Sequence, residues 1–312
     1  MKDTILTLTV NPAIDRIVSV DRLVFEDRAY ILSTNLAAGG RGINAARVLT
    51  SFGAKTLAVT TTGGEGGRRL EEKLKQDSFP VEFVKIRNHI RTNVTISDRQ
   101  GLSVKLNELG PPISEPELTR IRKAVEKHLK DASWLMLCGS LPPDVPADFY
   151  SKLIKLAEKN DVQTLLDTDG DPLMTGIEAG PTVATPNQSE AERLLNRALI
   201  TRSHSIEAVQ RIKAMGPKYA ILSLGSRGVV AATPEGVLEV VPPRIDAVCP
   251  IGAGDAMGAA FVWAIARGYS FEESVRWGVA AGTASAKLPG IQLANFEETK
   301  QVYPHTQVTK IS

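Results

Sequence analysis

The chain holds 312 residues, with 37 Lys and Arg against 35 Asp and Glu and a formal net charge of +2. That balance supplies neither the basic surface of a nucleic-acid binder nor a cationic face for a membrane, and the length allows one large α/β domain or two smaller ones. Two cysteines, Cys138 and Cys249, exclude a disulfide framework and fit a reducing cytoplasm, while four scattered histidines lack metal-ligand spacing. The longest apolar run is about half the ~20 residues of a bilayer span, and the N-terminal stretch does not read as a signal peptide, so a cytoplasmic location is expected.

Residues 5–10 are apolar and β-branched and predict a buried strand ended by Asn11-Pro12, with Asp15 following closely. Segments 17–25 and 29–34 predict short half-exposed strands with Arg28 between them. Residues 38–42 form a glycine-rich turn, Ala38-Gly39-Gly40-Arg41-Gly42, ahead of an amphipathic helix over 43–53. A buried strand over 56–63, a loop at 63–67 and a polar helix over 68–76 come next. Segments 81–87, 92–98 and 102–108 alternate in polarity and predict three antiparallel strands with one wet face. From Ser114 onward, helices (114–130, 147–160, 188–198, 205–215) alternate with apolar strands (134–139, 164–167, 182–187, 219–225), and a hairpin follows over 229–242. Helices near 256–266, 271–288 and 296–302 close the chain. Repeated β–α units predict a mostly parallel sheet covered by helices on both faces, and the antiparallel pieces predict a separate small sheet.

The stretch Pro250-Ile251-Gly252-Ala253-Gly254-Asp255 opens a helix whose residues from Ala256 to Ala266 are small or apolar on every face, the pattern of a buried helix, with Gly268 placed to end it. Glycines at a helix N-terminus expose unpaired N–H groups to an anion. A carboxylate there opposes an anion at rest, so Asp255 suits the proton of an incoming nucleophile, and the combination suggests phosphoryl transfer. An N-cap role for Asp255 is the structural alternative. No P-loop motif occurs, and the third glycine, Gly258, stands one place too late for a dinucleotide fingerprint.

Six segments occur in order: TVNPAID (9–15), AGGRGINAAR (38–47), SLPPDVP (140–146), TPNQSEAE (185–192), SLGSRG (223–228) and PIGAGDA (250–256). They resemble the signatures of the phosphofructokinase-B group of ribokinase-like carbohydrate kinases. RTNV (91–94) and KLNELGPPIS (105–114) point to the branch with 1-phosphofructokinase, tagatose-6-phosphate kinase and the minor 6-phosphofructokinase. The resemblance implies an α/β fold of three layers, a doubly covered and mostly parallel sheet, with a small β-sheet lid over the sugar. The core is expected over 1–15, 37–87 and 109–312, and the lid over 16–36 and 88–108.

Carried over residue by residue, the resemblance implies Asp255 as catalytic base and Gly252, Ala253 and Gly254 as anion hole. Asp15, Gly39, Gly40 and Asn44 match positions that hold sugar hydroxyls, and Asn93 is a further substrate-side candidate. Arg28, Arg41, Arg91 and Lys105 are candidate cations for a phosphate on the acceptor, Arg28 and Arg91 at positions matching basic residues of the branch. Ser223, Gly225 and Gly228 match the loop beneath the nucleotide, and Ala281, Gly282 and Ser285 match a helix lining the adenine slot, although helix packing explains those three equally well. Asn187 and Glu190 match positions associated with hydrated magnesium, Glu190 through water, and N-x-x-E is also a capping box. The sequence departs from the branch at Arg41, Val104, Thr185 and Cys249, which touches substrate choice and nucleotide affinity rather than the base. ATP and Mg2+ are the implied cofactors. The implied reaction is in-line phosphorylation of a ketohexose phosphate by a homodimer joined through an apolar lid face with Val18, Val20, Val94 and Ile96. A kinase of an unphosphorylated sugar and a non-catalytic sugar-phosphate sensor are the alternatives on this fold.

Overall fold

The strand Thr4–Thr9 is buried along its whole length, and its side chains divide by parity between two cores. Leu6 and Leu8 join one with Leu135, Leu137, Leu166 and Leu222, whereas Ile5 joins the other with Trp134, Met136, Leu165 and Ile221. Alternate residues of a strand face opposite sides, so a run with no polar phase needs cover on both. That cover is present in the computed structural model, which describes residues 2–24 and 26–311. The helices Glu115–Leu129, Phe149–Lys159 and Arg202–Ala214 contribute Ile121, Leu153 and Ile212 to the first core. The helices Arg41–Ser51, Ala253–Ala266 and Phe271–Ala286 contribute Leu49, Phe261 and Val275 to the second.

Ten strands form the main sheet, in the order Gln307–Ile311, Gly236–Val241, Val229–Thr233, Tyr219–Ser223, Val183–Ala184, Gln163–Asp167, Ala132–Cys138, Thr4–Thr9, Thr56–Thr62 and Val81–Lys85. Pairing is parallel from Tyr219–Ser223 to Val81–Lys85 and antiparallel in the C-terminal extension. The expected three-layer α/β architecture is thus present, with a second, four-stranded sheet beside it.

That small sheet, the lid, has the order Ile31–Gly39, Ala13–Val20, Arg91–Ser97, Ser103–Asn107. It is not wholly antiparallel, because its two central strands pair in parallel, Asp15 opposite Asn93. Register separates its faces. Asp15, Asn93 and Asn107 stand in one rank, with Ile17, Thr95 and Lys105 in the next rank on the same side. Val18, Ile96 and Val104 share the opposite side.

The structure corrects several expectations. Segment 81–87 does not enter the lid; Val81–Lys85 pairs in parallel with Thr56–Thr62 at the edge of the main sheet. The helix Gly64–Leu74 supplies the crossover that a parallel pair requires. Its first turn is the glycine-rich stretch expected as a loop, and those glycines let it lie close, since a Cβ on Gly67 would stand 2.5 Å from Thr62 Oγ1. Lid strands begin at Ala13 and run to Gly39, so Asp15 and Gly39 belong to the lid sheet and not to the core segments 1–15 and 37–87. Gln307–Ile311 was not foreseen, being mostly exposed and polar at alternate places. The apolar lid face is not open as expected: Val18 and Val20 are already buried, and the exposed apolar side chains on its strands are Ile31, Leu32, Val104 and Leu106, with Tyr30 and Leu102 exposed beside them. Phe25, at the end of the segment expected over 17–25, and residues 1 and 312 lie outside the described residues. Among the described residues no helix is long and apolar enough to cross a membrane.

Candidate active site

The carboxyl ends of the parallel strands carry the polar residues. Asn11 follows Thr4–Thr9, Ser140 follows Ala132–Cys138, Asp167 ends Gln163–Asp167, and Asn187 follows Val183–Ala184. Ligands of open α/β sheets bind in this position. Gly252, in the left-handed region at φ 79°, turns the chain into the helix Ala253–Ala266, whose first turn carries Asp255. As expected, Gly268 leaves that helix at φ 86°.

Asn44 donates from Nδ2 to Asp255 Oδ2 at 2.8 Å, joining the glycine turn to the base candidate. The Ala253 N–H is engaged by Pro250 O at 3.2 Å, whereas the N–H groups of Gly254 and Asp255 have no backbone acceptor among the described residues. The Gly252 N–H likewise has no backbone acceptor among the described residues, so two of the three amides expected for the anion hole, those of Gly252 and Gly254, are free and Asp255 adds a third. A Cβ on Gly254 would meet nothing within 4 Å, so this side of the turn is open, while one on Gly252 would stand 2.7 Å from Leu293 Cδ2.

Desolvation pushes the Asp255 carboxyl up to about 7; Asp167 adds to the rise, Asn44 and Arg41 oppose it, and Asp15 raises it further. Asp15 is likewise raised by burial, against the pull of Asn93, Arg91 and Arg47. Its Oδ1 accepts from Asn93 Nδ2 at 2.9 Å. Gly39 lies directly against it, since a Cβ there would stand 2.1 Å from Asp15 Oδ2. Gly40, at φ 144°, links the lid strand to the helix Arg41–Ser51.

Arg41 does not stand free for an acceptor phosphate. Its guanidinium reaches Asp167 at 3.0 Å, Asp169 at 3.1 Å and Glu190 at 3.5 Å. Asp167 foremost holds its pKa above the ordinary value. Arg91 differs. It donates to Glu108 O at 3.1 Å, its Nε is buried with no partner among the described residues, and burial lowers its pKa against the attraction of Asp15. The acceptor oxygens of Asn11 and Asn93 are also buried and unpartnered. Lys105 shares the lid face of Asp15 and Asn93 by register. Arg28 is exposed beyond the end of the Val20–Ile31 pair, five residues along the strand from Asp15, or about 16 Å, and the structure does not bring it to the cleft.

Among the residues expected beside the nucleotide, Asn187 bridges Ser223, and Gly225 and Gly228 turn the chain at φ 62° and 88°. Asn187 and Glu190 form the foreseen capping box, with Glu190 Oε2 accepting from the Asn187 N–H at 2.8 Å. Ala281, Gly282 and Ser285 are engaged in packing. Ala281 is buried in the second core, a Cβ on Gly282 would stand 2.9 Å from Ala253 O, and Ser285 Oγ accepts from Ala294 N at 3.0 Å. Sequence reasoning missed Asn11, Ser140, Asp167, Asp169 and Arg47. The first four share a signal, namely polar residues just past apolar strands.

Residues 8–298 match the pfkB family carbohydrate kinase profile. The chain belongs to that family. Among curated relatives, the ATP-dependent 6-phosphofructokinase isozyme 2 of Escherichia coli is 30% identical over 304 residues, covering 96% of this chain and 98% of its own. The 1-phosphofructokinase of Borreliella burgdorferi is 32% identical over 308 residues, covering 98% and 99%. A tagatose-6-phosphate kinase of Staphylococcus epidermidis is 27% identical over 310 residues, covering 98% of this chain and 100% of its own. The crystal structure of Escherichia coli phosphofructokinase-2 in complex with potassium superposes with a TM-score of 0.91 at 29% identity, covering 97% of this chain and 98% of that one. Arabidopsis thaliana ribokinase, at 0.78 and 21% and covering 97% and 99%, shares the fold.

The raised Asp255 carboxyl makes a prediction that needs no substrate. Folding binds its proton more tightly than the unfolded chain does, so Asp255 penalises the fold above about pH 7, where it is ionised, and the penalty vanishes as pH falls below the unfolded value. Asp255→Asn should raise the melting temperature at pH 8 by about 2 °C or more and leave it nearly unchanged at pH 4. Calorimetry at the two pH values checks this, and an equal shift at both contradicts it.

Proposed function

We propose that this pfkB-family protein is an ATP-dependent kinase of a ketohexose phosphate, with fructose 1-phosphate, fructose 6-phosphate and tagatose 6-phosphate as the candidate acceptors. The observation that carries the reading is Arg91. A buried guanidinium nitrogen without a partner, beside the Asp15–Asn93 pair, matches a phosphate carried on a polyol whose hydroxyls meet that pair. The relatives named for phosphorylated hexoses support the same class.

In the reaction, Asp255 accepts the proton of the acceptor hydroxyl as its oxygen attacks the γ-phosphorus of ATP in line, and ADP departs with the bridging oxygen. The free amides of Gly254 and Asp255 hold charge developing on the transferred group. Asn44 keeps one Asp255 oxygen engaged and leaves the other for the hydroxyl. Asn187, Ser223, Gly225 and Gly228 border the nucleotide; Ala281, Gly282 and Ser285 support the helices behind it.

Asp255→Asn should lower kcat by at least ~10²-fold with KM values near wild type, and wild-type kcat/KM should fall as pH drops through about 7. Arg91→Ala should raise KM for the phosphosugar about tenfold, from a contact of ~1.5–3 kcal/mol, without altering weak turnover of the free sugar. ATP consumption against the three hexose phosphates and the free sugars tests the reading. Preference for a free sugar, or an unchanged KM in Arg91→Ala, overturns the phosphosugar assignment.

Magnesium is proposed to accompany ATP, neutralising charge on its phosphate oxygens when bound. Among the described residues no group of three or more His, Cys, Asp or Glu side chains forms a direct metal cage. The donor set instead fits a hydrated ion. Three carboxylates on one guanidinium leave net negative charge, and burial together with Asp167 raises the Glu190 pKa. Glu190→Gln keeps the cap and should raise the magnesium concentration for half-maximal rate by about tenfold. A magnesium titration at saturating ATP checks it; an unchanged requirement removes Glu190 from the ion.

A homodimer through the lid is also proposed, because Ile31, Leu32, Val104 and Leu106 leave an apolar area on a small sheet. Escherichia coli phosphofructokinase-2 has been described in a tetrameric inhibited form, so higher assembly is known in a relative. Sedimentation should give a dimer at micromolar concentration and a monomer for Leu106→Glu; a monomeric wild type contradicts the proposal.

A further inference from the structure

Arg47 lies on the same helix as Asn44, yet neither the family resemblance nor the proposed reaction gives it a role. Its Nη1 donates to Asn44 Oδ1 at 3.3 Å and to Ala38 O at 2.9 Å. Its Nε and Nη2 grip Asp77, at 3.1 Å and 3.0 Å to Oδ2. A guanidinium only donates, so the atom of Asn44 that faces it must be the carbonyl oxygen. The other end of the amide, Nδ2, is then forced toward Asp255, where it donates at 2.8 Å. Without Arg47 the amide could turn over and present an oxygen to a carboxylate.

We infer that Arg47 is a positioning residue for Asp255: clamped by Asp77, it fixes the Asn44 amide so that Nδ2, and not Oδ1, meets the Asp255 carboxylate. Asp77 follows the helix Gly64–Leu74, so the clamp ties the crossover of the Thr56–Thr62/Val81–Lys85 unit to the base. The pair lines a recess of about 610 Å³ with Lys73, Gln76 and Leu293, so replacing Arg47 meets solvent space and not a closed core.

The kinetic part of the inference rests on the proposed kinase reaction; the test therefore includes a readout free of turnover. The Asp255 titration, followed by carboxyl 13C NMR in the substrate-free protein, should move alkaline in Arg47→Met, because the Asn44 bond that lowers it is no longer enforced. Asp167, which raises the same carboxyl, and Arg41, which lowers it, are untouched. Arg47 also lowers Asp15, so the path must be isolated. In an Asn44→Ala background, Arg47→Met should shift Asp255 hardly at all. In turnover, Arg47→Met should lose about tenfold in kcat with the acid limb displaced alkaline and KM for ATP unchanged, and Arg47→Lys should recover most of that loss. Should Arg47→Met fail to fold, Asp77→Asn should give a smaller displacement of the same sign. An unmoved Asp255 titration, an equal shift in the Asn44→Ala background, or no recovery with lysine overturns the inference. A wild type that phosphorylates no sugar phosphate sinks the functional reading and leaves the titration to decide on Arg47.

Discussion

Arg41 gathers Asp167, Asp169 and Glu190 around one guanidinium, and this ion cluster sets the conditions under which the rest of the cleft works. In the proposed reaction a base beneath an anion hole poses an electrostatic problem, because the group that takes the proton repels the phosphates it must work beside. Asp167 and Asp15 sharpen the problem by raising Asp255, and Arg41 relieves it from within the same cluster. A guanidinium suits this place better than an ammonium would, since its planar fork addresses separate carboxylates with separate N–H groups. Removing it would leave three partly buried acids uncompensated, the costly way to break such a cluster. The net charge that remains is still negative.

Close backbone approach is the second constraint. Gly39 lets Asp15 lie against the lid strand's own backbone, Gly252 admits Leu293 beneath the turn, and Gly282 admits Ala253 O. Each contact joins two parts that come from distant segments. The first contact closes two strands of the small sheet, and the other two seat the turn and the start of the helix Ala253–Ala266 against their neighbours, each without an intervening side chain.

The parallel core was legible because its strands are apolar in both phases and its helices in one stripe, patterns that do not depend on partners. The glycine turn with Asp255 was legible for a local reason as well: its geometry is set by residues adjacent in sequence. Long-range choices were not. Nothing in VEFVK says whether it pairs with the lid or with Thr56–Thr62, and the deciding helix was hidden by glycines at 64, 66 and 67 that read as a loop. The role expected of Arg41 failed for the same reason. Its partners Asp167, Asp169 and Glu190 lie 126 to 149 positions away, and only the fold brings them together. Ala281, Gly282 and Ser285 show the converse case, where small residues on a helix are consistent with a ligand slot and with packing, and the structure shows the packing.

One stretch of the chain connects these levels. Arg41, Asn44 and Arg47 recur every third residue of the helix Arg41–Ser51, so they share one stripe, while Ile43, Ala46 and Leu49 enter the cores. Along that stripe stand the cation of the acid cluster, the amide on the base, and the guanidinium that orients the amide. The helix begins one residue after the lid strand Ile31–Gly39, with Gly40 at φ 144° as the only joint. A displacement of the lid must therefore be absorbed at Gly40 or passed to the helix, and Asp77 resists the second course by holding Arg47 to the core. Arg47 meets both sides of that joint, since its Nη1 also donates to Ala38 O on the strand Ile31–Gly39.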